Sequence, residues 1–314
     1  MRADLTYVKN LATHSGPFHA DDVCALAVLR VLAPQAQIVR TRDTNLLEQI
    51  SDTSIIFDVG GLYDPENRVF DHHQKERLVR DNTSVPYSSF GLIWKHYGAD
   101  FIEKILDTDT STAQLVADTL DKTLVLDIDG VDNGTLLPGQ EPLLHPQSLP
   151  ALLVNMRPDF DQTSDDTLMA AFQKAGDLAL NIITAQARTV SAKLRSDKIV
   201  EEAIQNRTDP RYIELPYSLN YDETIHRLGA TDVVFVLNPS GQNWQLNTVA
   251  QSLGSYGARQ DLPAEWAGLR EKDLQALTDV SDAVFCHLAR FIAAAKSREG
   301  AFALLNIALK ELDS

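Results

Sequence analysis

Residues 54–73, SIIFDVGGLYDPENRVFDHH, decide how this chain is read. The stretch opens on Ser54-Ile55-Ile56-Phe57, an apolar run of the length and composition of a buried strand. Asp58 closes that run, and Gly60 and Gly61 let the backbone pass close to whatever the carboxylate faces. A second apolar pair, Val69-Phe70, leads directly into Asp71-His72-His73. The same alternation continues on either side. Residues 7–13 read as a strand entering a loop at His14, and residues 21–32 (DDVCALAVLRVL) place apolar side chains at helical spacing ahead of Pro34. Residues 37–41 form a second short strand pattern and residues 46–50 a short helix. Helices are expected over 88–97, 101–106 and 111–132. Strands alternating with helices imply an α/β fold with a doubly wound parallel sheet. Ligands of such sheets gather at the carboxyl ends of the strands. His14, Asp58 and Asp71 all fall at or just after a strand end, so residues distant in sequence can converge on one edge.

A chain of 314 residues exceeds the usual size of one domain. After Arg157-Pro158, residues 165–205 form a long helical connector. From Arg211 the pattern turns strand-rich (RYIELP, DVVFVLNP, NWQLNTVA, AVFCHL) and closes on a helix over 297–312. The expected division is 1–205, a metal-binding catalytic domain with its connector, and 206–314, a smaller α/β substrate-binding domain. The turns at Pro138, Pro142 and Pro146 interrupt the first part. The net charge of −16 opposes broad attraction to nucleic acid, which uses basic surfaces. It leaves room for a small phosphate substrate, because bound cations reverse the local field. Cys24 and Cys286, in apolar surroundings, read as buried free thiols of a reducing compartment. The opening Met1-Arg2-Ala3-Asp4-Leu5 lacks an apolar signal core, and no apolar run is long enough to cross a bilayer. A cytoplasmic location is expected.

The chemistry resides in four clusters of imidazole and carboxylate. Residues 13–22 (THSGPFHADD) carry His14, His19 and Asp21; Asp58 stands alone; Asp71-His72-His73 follows; residues 127–134 (DIDGVDNG) carry Asp129 and Asp132. This mixture suits Mn²⁺, Mg²⁺, Zn²⁺ or Fe²⁺, and no cluster has the thiolates of a closed structural zinc site. Asp22, at the start of a helix, is assigned to capping. Asp58 has the alternatives of turn former and bridge between two cations. Adjacent histidines on an extended segment point to opposite sides, so one of His72 and His73 ligates while the other faces substrate phosphate. Asp71 can orient a ligating imidazole from behind. Asp129 and Asp132 are three apart and share a helical face; one of them completes the set, and the spacing does not choose. Two cations roughly 3.5–4 Å apart generate a bound hydroxide and stabilise in-line displacement at phosphorus. No side-chain nucleophile is required, and the chain has neither G-x-S-x-G nor a Walker A sequence.

With THSGPFHADD, IVRTRD, FDVGGLYDPENRVFDHHQ, SSFGLIW, DGVDNG, EWAGLR and SREGA in this order over residues 13–301, the chain resembles the MYG family of the DHH phosphoesterase superfamily. The resemblance implies a larger amino-terminal and a smaller carboxy-terminal α/β domain. It implies a site for two divalent ions, Mn²⁺ first and Mg²⁺ second, and hydrolysis of phosphodiesters, as a 3′–5′ exonuclease on RNA or short oligonucleotides. By position, His14 and His19 match first-motif ligands, Asp21 a ligand to the second metal and Asp58 the bridging carboxylate. His72 matches the further imidazole ligand, His73 the substrate-facing one, and Asp129 or Asp132 the last carboxylate. Near the carboxy terminus the family's histidine is kept as His287, but Ala293, Ala294 and Ala295 stand where close-approach glycines are expected. Lys296 and Arg298 remain as candidates for phosphate contact, with solvated charges at a helix start as the alternative, and His287 has the alternative of a packed or hydrogen-bonded core residue. That departure keeps two alternatives open, a small-molecule phosphohydrolase acting on pyrophosphate or a nucleotide and a non-catalytic metal-binding protein. No membrane partner is expected, and self-association is left open.

Overall fold

The computed structural model describes residues 5–135 and 147–313; the turns at Pro138, Pro142 and Pro146 lie outside the described residues. The chain divides into two compact units, Met1–Ser191 and Ala192–Ser314.

The first unit is built on β1 (Asn10–Thr13), β2 (Gln37–Arg40), β3 (Ser54–Phe57), β4 (Tyr63–Asp64) and β5 (Val69–Phe70). They form one sheet in the order β2-β1-β3-β5-β4. All neighbours are parallel except β4, which closes the edge antiparallel to β5. Helices α1 (Ala20–Leu32) and α2 (Thr44–Ile50) make the crossovers. Strand alternation sends Ala12, Ile56 and Val69 to the face covered by Leu47 and Ile50 of α2. Leu11, Ile55, Phe57 and Phe70 go to the opposite face, where each is completely buried. On that side α1 touches β1 and α3 (Ser89–Leu106) touches β5 and α1. With helices on both faces, the sheet is doubly wound as expected. Helix α1 is buried from Ala20 through Leu29, the state of a helix apolar on all sides.

Two helices expected over 88–106 are one. Gly98 does not break α3: a Cβ there would meet the Trp94 ring at 2.9 Å, so the glycine makes room for the indole. Trp94 Nε1 in turn donates to the Ala117 carbonyl oxygen of α4 (Thr110–Leu120) at 3.1 Å. One π-helical turn, Asp121–Val125, joins α4 to α5 (Leu126–Asp132). Short α6 (Leu149–Val154) precedes α7 (Asp165–Asn206), 42 residues long.

The second unit holds β6 (Tyr212–Glu214), α8 (Asp222–Arg227), β7 (Phe235–Ser240), β8 (Asn243–Thr248), α9 (Glu271–Thr278), β9 (Ala283–Cys286), β10 (Ile292–Ala295) and α10 (Arg298–Leu312). Its sheet runs β6-β7-β8-β10-β9, with only β6 and β7 parallel. The division between units falls inside α7 rather than after it, because Val200 and Ile204 belong to the core that Ile213, Leu215 and Val236 build in the second unit. Strand β10 covers the alanines read as replaced glycines. Ala293, Ala294 and Ala295 are buried in the sheet between β8 and β9, and Ala293 and Ala295 share a core with Ala301, Leu304 and Leu305 of α10. Cys24 and Cys286 are both buried and free. Among the described residues no helix is long and apolar enough to cross a membrane.

Candidate metal centre

The site is built at the carboxyl ends of β1, β3 and β5. Beyond β1, the chain turns through Gly16 at φ +89° before entering α1. Asp22 caps this helix: its Oδ1 accepts from the His19 backbone N–H at 2.8 Å. Its other oxygen lies 3.1 Å from His14 Nε2. Asp22 therefore does more than capping; the sequence reading missed its second contact.

Asp58 follows β3 in the left-handed region, φ +56°, a conformation few non-glycine residues adopt but which aspartate tolerates. Its two oxygens face two different imidazoles. Oδ2 lies 3.2 Å from His14 Nε2, and Oδ1 lies 3.3 Å from His72 Nε2. Ser89 Oγ also donates to Oδ1, at 3.3 Å. His72 Nε2 is 3.4 Å from Asp132 Oδ2 and 3.9 Å from Asp21 Oδ2.

The expectation that His72 and His73 face opposite sides is not met, since their ring centroids are 4.3 Å apart. The cause is Asp71. Its Oδ1 accepts from the backbone N–H groups of His72 (2.7 Å) and His73 (3.2 Å), so the chain leaves the extended state here and loses its alternation. Its Oδ2 accepts from the Gly61 N–H at 2.6 Å. The imidazole that Asp71 orients directly is that of His73, whose Nδ1 lies 2.7 Å from Oδ1. His73 is more than half exposed, whereas His72 is buried.

Asp129 and Asp132 separate cleanly. Asp129 is completely buried and accepts from Ser88 N–H (3.1 Å), Ser88 Oγ (2.6 Å) and Arg80 Nε (2.6 Å). Among the described residues, ligand atoms within 4.8 Å of one another come from Asp58, Asp71, His72 and His73; from His14, His19 and Asp58; from Asp21, His72 and Asp132; and from Asp21, Asp22 and Asp58, and Asp129 joins none of these clusters. The structure thus brings Asp132 to the cluster and gives Asp129 to an arginine.

Charge is concentrated in this pocket. Burial pushes the Asp21 carboxyl well up, and Asp58, Asp132 and Asp22 add to the effect. Asp22 and Asp132 are raised by burial as well. Burial would lower His14, but Asp22 and Asp58 outweigh it and raise the imidazole to about 10. Burial would raise Asp58, yet His14 and His72 hold it below the usual carboxylate range. Both oxygens of Asp21 and Nδ1 of His72 are buried without a hydrogen-bond partner among the described residues. A buried carboxylate without donors is costly unless a cation meets it. The donor set of carboxylate oxygens and imidazole nitrogens fits Mn²⁺ or Mg²⁺.

A cavity of about 270 Å³ opens onto His14, His19, Asp58, His72, His73 and Asp132. Arg42, Arg77 and Asn133 also line it; none was expected as a site residue, and Asn133 reads from the sequence as a helix stop. Arg42 carried a signal, because it follows β2 at the same carboxyl edge as the other site residues. Arg77 stands in an irregular loop and carried none.

The carboxy-terminal candidates all lie in the second unit. His287 is exposed beyond β9; its Nδ1 accepts from the Ala289 N–H at 3.0 Å and its ring meets Phe291 at 4.4 Å. Lys296 is exposed. Arg298 is engaged by Glu214 through two bonds of 2.5 and 2.7 Å and lies over the Phe302 ring.

A family model described as MYG1_exonuc, Uncharacterised protein family (UPF0160), matches residues 10–309. The MYG1 protein of Dictyostelium discoideum is 31% identical over 337 residues, covering 99% of this chain and 97% of its own. The human MYG1 exonuclease is 30% identical, covering 99% of this chain and 88% of its own. Among solved structures, a Vibrio pGpG-specific phosphodiesterase aligns over 97% of this chain and 99% of its own at 14% identity, with a TM-score of 0.30. RecJ from Thermus thermophilus in complex with Mn²⁺ aligns over 98% of this chain and 53% of its own at 13% identity, with a TM-score of 0.27.

Proposed function

Because the chain belongs to the MYG1_exonuc family (UPF0160) and carries this pocket, we propose that it is a divalent-metal-dependent phosphodiesterase. The observation that carries the reading is Asp58, whose two oxygens each meet a different imidazole beside an Asp21 carboxylate that has no hydrogen-bond partner among the described residues. His14, His19 and Asp58 would hold one cation, and Asp21, Asp58, His72 and Asp132 a second, with Mn²⁺ first and Mg²⁺ next. When bound, such a pair supplies Lewis acidity toward a phosphoryl oxygen and makes water acidic enough to attack near neutral pH. His73 stands at the cavity with Nδ1 tied to Asp71. The hydrogen bond that His73 Nδ1 donates to Asp71 raises the His73 pKa, which favours the imidazolium form that can donate to a phosphate oxygen.

The finer reading is a 3′–5′ exonuclease acting on RNA ends or short oligonucleotides. Relatives named MYG1 exonuclease support it, and the net charge of −16 favours short substrates over long ones. The small cavity supports a second reading, a phosphohydrolase for pyrophosphate or a nucleotide.

End-labelled RNA, short oligonucleotides and small phosphate esters, each incubated with Mn²⁺, Mg²⁺ or EDTA, distinguish the two. Shortening of labelled RNA that needs the cation is expected. Asp58→Ala and His72→Ala are expected to lose on the order of 10²–10³-fold or more in rate, as when preorganised charge stabilisation is removed. Hydrolysis confined to small esters selects the second reading. Activity that survives both substitutions rejects the site.

A further inference from the structure

Two arginines line the metal cavity, and neither has a carboxylate at ion-pair distance among the described residues. Arg42 donates through Nε to the Ser15 carbonyl oxygen at 3.2 Å, and its Nη2 lies 3.1 Å from His14 Nδ1. That ring nitrogen is also 3.0 Å from the Ser15 carbonyl oxygen. With Nε2 turned toward Asp22 and Asp58, a ligating His14 carries its remaining proton on Nδ1 and donates it to Ser15. Arg42 Nη2 then has no acceptor at His14. Arg77 donates through Nη1 to Asn133 Oδ1 at 3.2 Å, a neutral amide. Asn133 is fixed in turn, since its Nδ2 donates to the carbonyl oxygens of Asp129 (2.9 Å) and Pro86 (3.1 Å). Arg30, Arg80, Arg211 and Arg298 are paired with carboxylates; Arg40, Arg68, Arg157 and Arg259 are also held by carbonyl oxygens, but they do not line this cavity. Guanidinium groups held at a cavity by neutral acceptors alone are suited to an incoming anion.

We infer that Arg42 and Arg77 receive a second phosphate, next to the one being hydrolysed. The inference rests on the phosphodiesterase reading. The cations and His73 already answer the charge of the scissile group. Two further guanidiniums therefore favour a substrate with at least two phosphates, such as an oligonucleotide end, over a single phosphate ester.

The test compares four substrates in Mn²⁺: a nucleoside 5′-(p-nitrophenyl phosphate), a dinucleotide NpN, its 5′-phosphorylated form pNpN, and a trinucleotide NpNpN. Wild-type kcat/KM should rise from the first two to the last two. Arg42→Ala and Arg77→Ala should each lose about tenfold more on pNpN or NpNpN than on NpN, mainly in KM, the loss of a charge-assisted hydrogen bond. Arg77→Lys should recover part of it. A loss confined to pNpN assigns the terminal phosphate, and one shared with NpNpN the internal linkage. Equal losses on all four substrates, or none, overturn the inference. Binding supplies a readout without turnover. The Kd of a phosphorothioate-linked pNpN should rise about tenfold for each arginine removed, while that of the matching NpN changes little. Unchanged affinity for pNpN refutes the role of the arginines, whereas a wild-type protein that binds pNpN but hydrolyses nothing refutes the phosphodiesterase reading instead.

Discussion

Asp129 and Asp132 sit three residues apart on one helix, and their fates are opposite. Asp129 neutralises the buried Arg80 guanidinium, which also forms two bonds to Asp121 at 2.8 and 3.0 Å. Asp132 faces His72. Breaking a buried ion pair by removing one partner costs roughly 3–5 kcal/mol. Asp129→Ala should therefore lower the melting temperature strongly in EDTA and Mn²⁺ alike. Asp132→Asn should leave the EDTA melting temperature unchanged or raise it, because it removes one of several crowded carboxylates, while weakening Mn²⁺ binding in calorimetry. Mn²⁺ affinity lost in Asp129→Ala with no change in melting would reverse the assignment. Residue spacing could not have made this choice. The partner that decides it, Arg80, is 49 positions away in an irregular loop. His14, Asp58 and His72 were legible because each follows a strand end, a position that the parallel topology makes functional. The contact between Asp22 and His14 was not, because a capping role already accounts for an aspartate at the start of a helix.

At the level of elements, strands β1, β3 and β5 were readable from their apolar runs, and the helices from their periodicity. Strand β10 was not, because Ile-Ala-Ala-Ala carries neither alternation nor β-branched enrichment. Its burial comes from β8, β9 and α10. Placement of α5, which carries Asp132, depends on α3: a Cβ at Gly91 would overlap the Asp129 carboxylate. Gly91→Ala must push the two helices apart, at a cost of about 1–3 kcal/mol for overpacking. It should lower the melting temperature and also weaken Mn²⁺ binding, because the displaced helix carries Asp132. Gly300 offers the comparison. A Cβ there would overlap the Asp282 carboxylate, which accepts from Ser297 N–H (2.8 Å) and Oγ at the start of α10 in the second unit. Gly300→Ala should lower the melting temperature while sparing Mn²⁺ affinity. If both substitutions leave the affinity intact, α5 is not held in place by its packing on α3.

For the whole molecule, the pocket makes stability depend on cation and pH together. Asp21, Asp22 and Asp132 have raised pKa values in the cation-free fold, and His14 is raised to about 10. A raised pKa means that the folded state holds protons the unfolded chain has released. The associated stability is complete below the unfolded pKa and is lost as pH rises through the folded value. For the carboxyls this loss begins above pH ~4, and for His14 it runs from pH ~6.5 to about 10. Asp58 and Asp71, with lowered values, act in the opposite direction but only in the acid range, below the ordinary carboxylate pKa. In EDTA these site groups therefore make stability fall as pH rises from 6 to 8.5. Cation binding displaces the same protons, so it strengthens over that interval. Occupancy at a hundred times Kd adds about 2.7 kcal/mol, several degrees in melting temperature. The difference between Mn²⁺ and EDTA melting temperatures should widen steadily with pH, and Asp21→Asn should flatten the trend, because it removes a carboxyl whose two buried oxygens have no hydrogen-bond partner among the described residues. A difference that stays constant from pH 6 to 8.5, or narrows, would mean that the cations bind somewhere other than among these protonated groups.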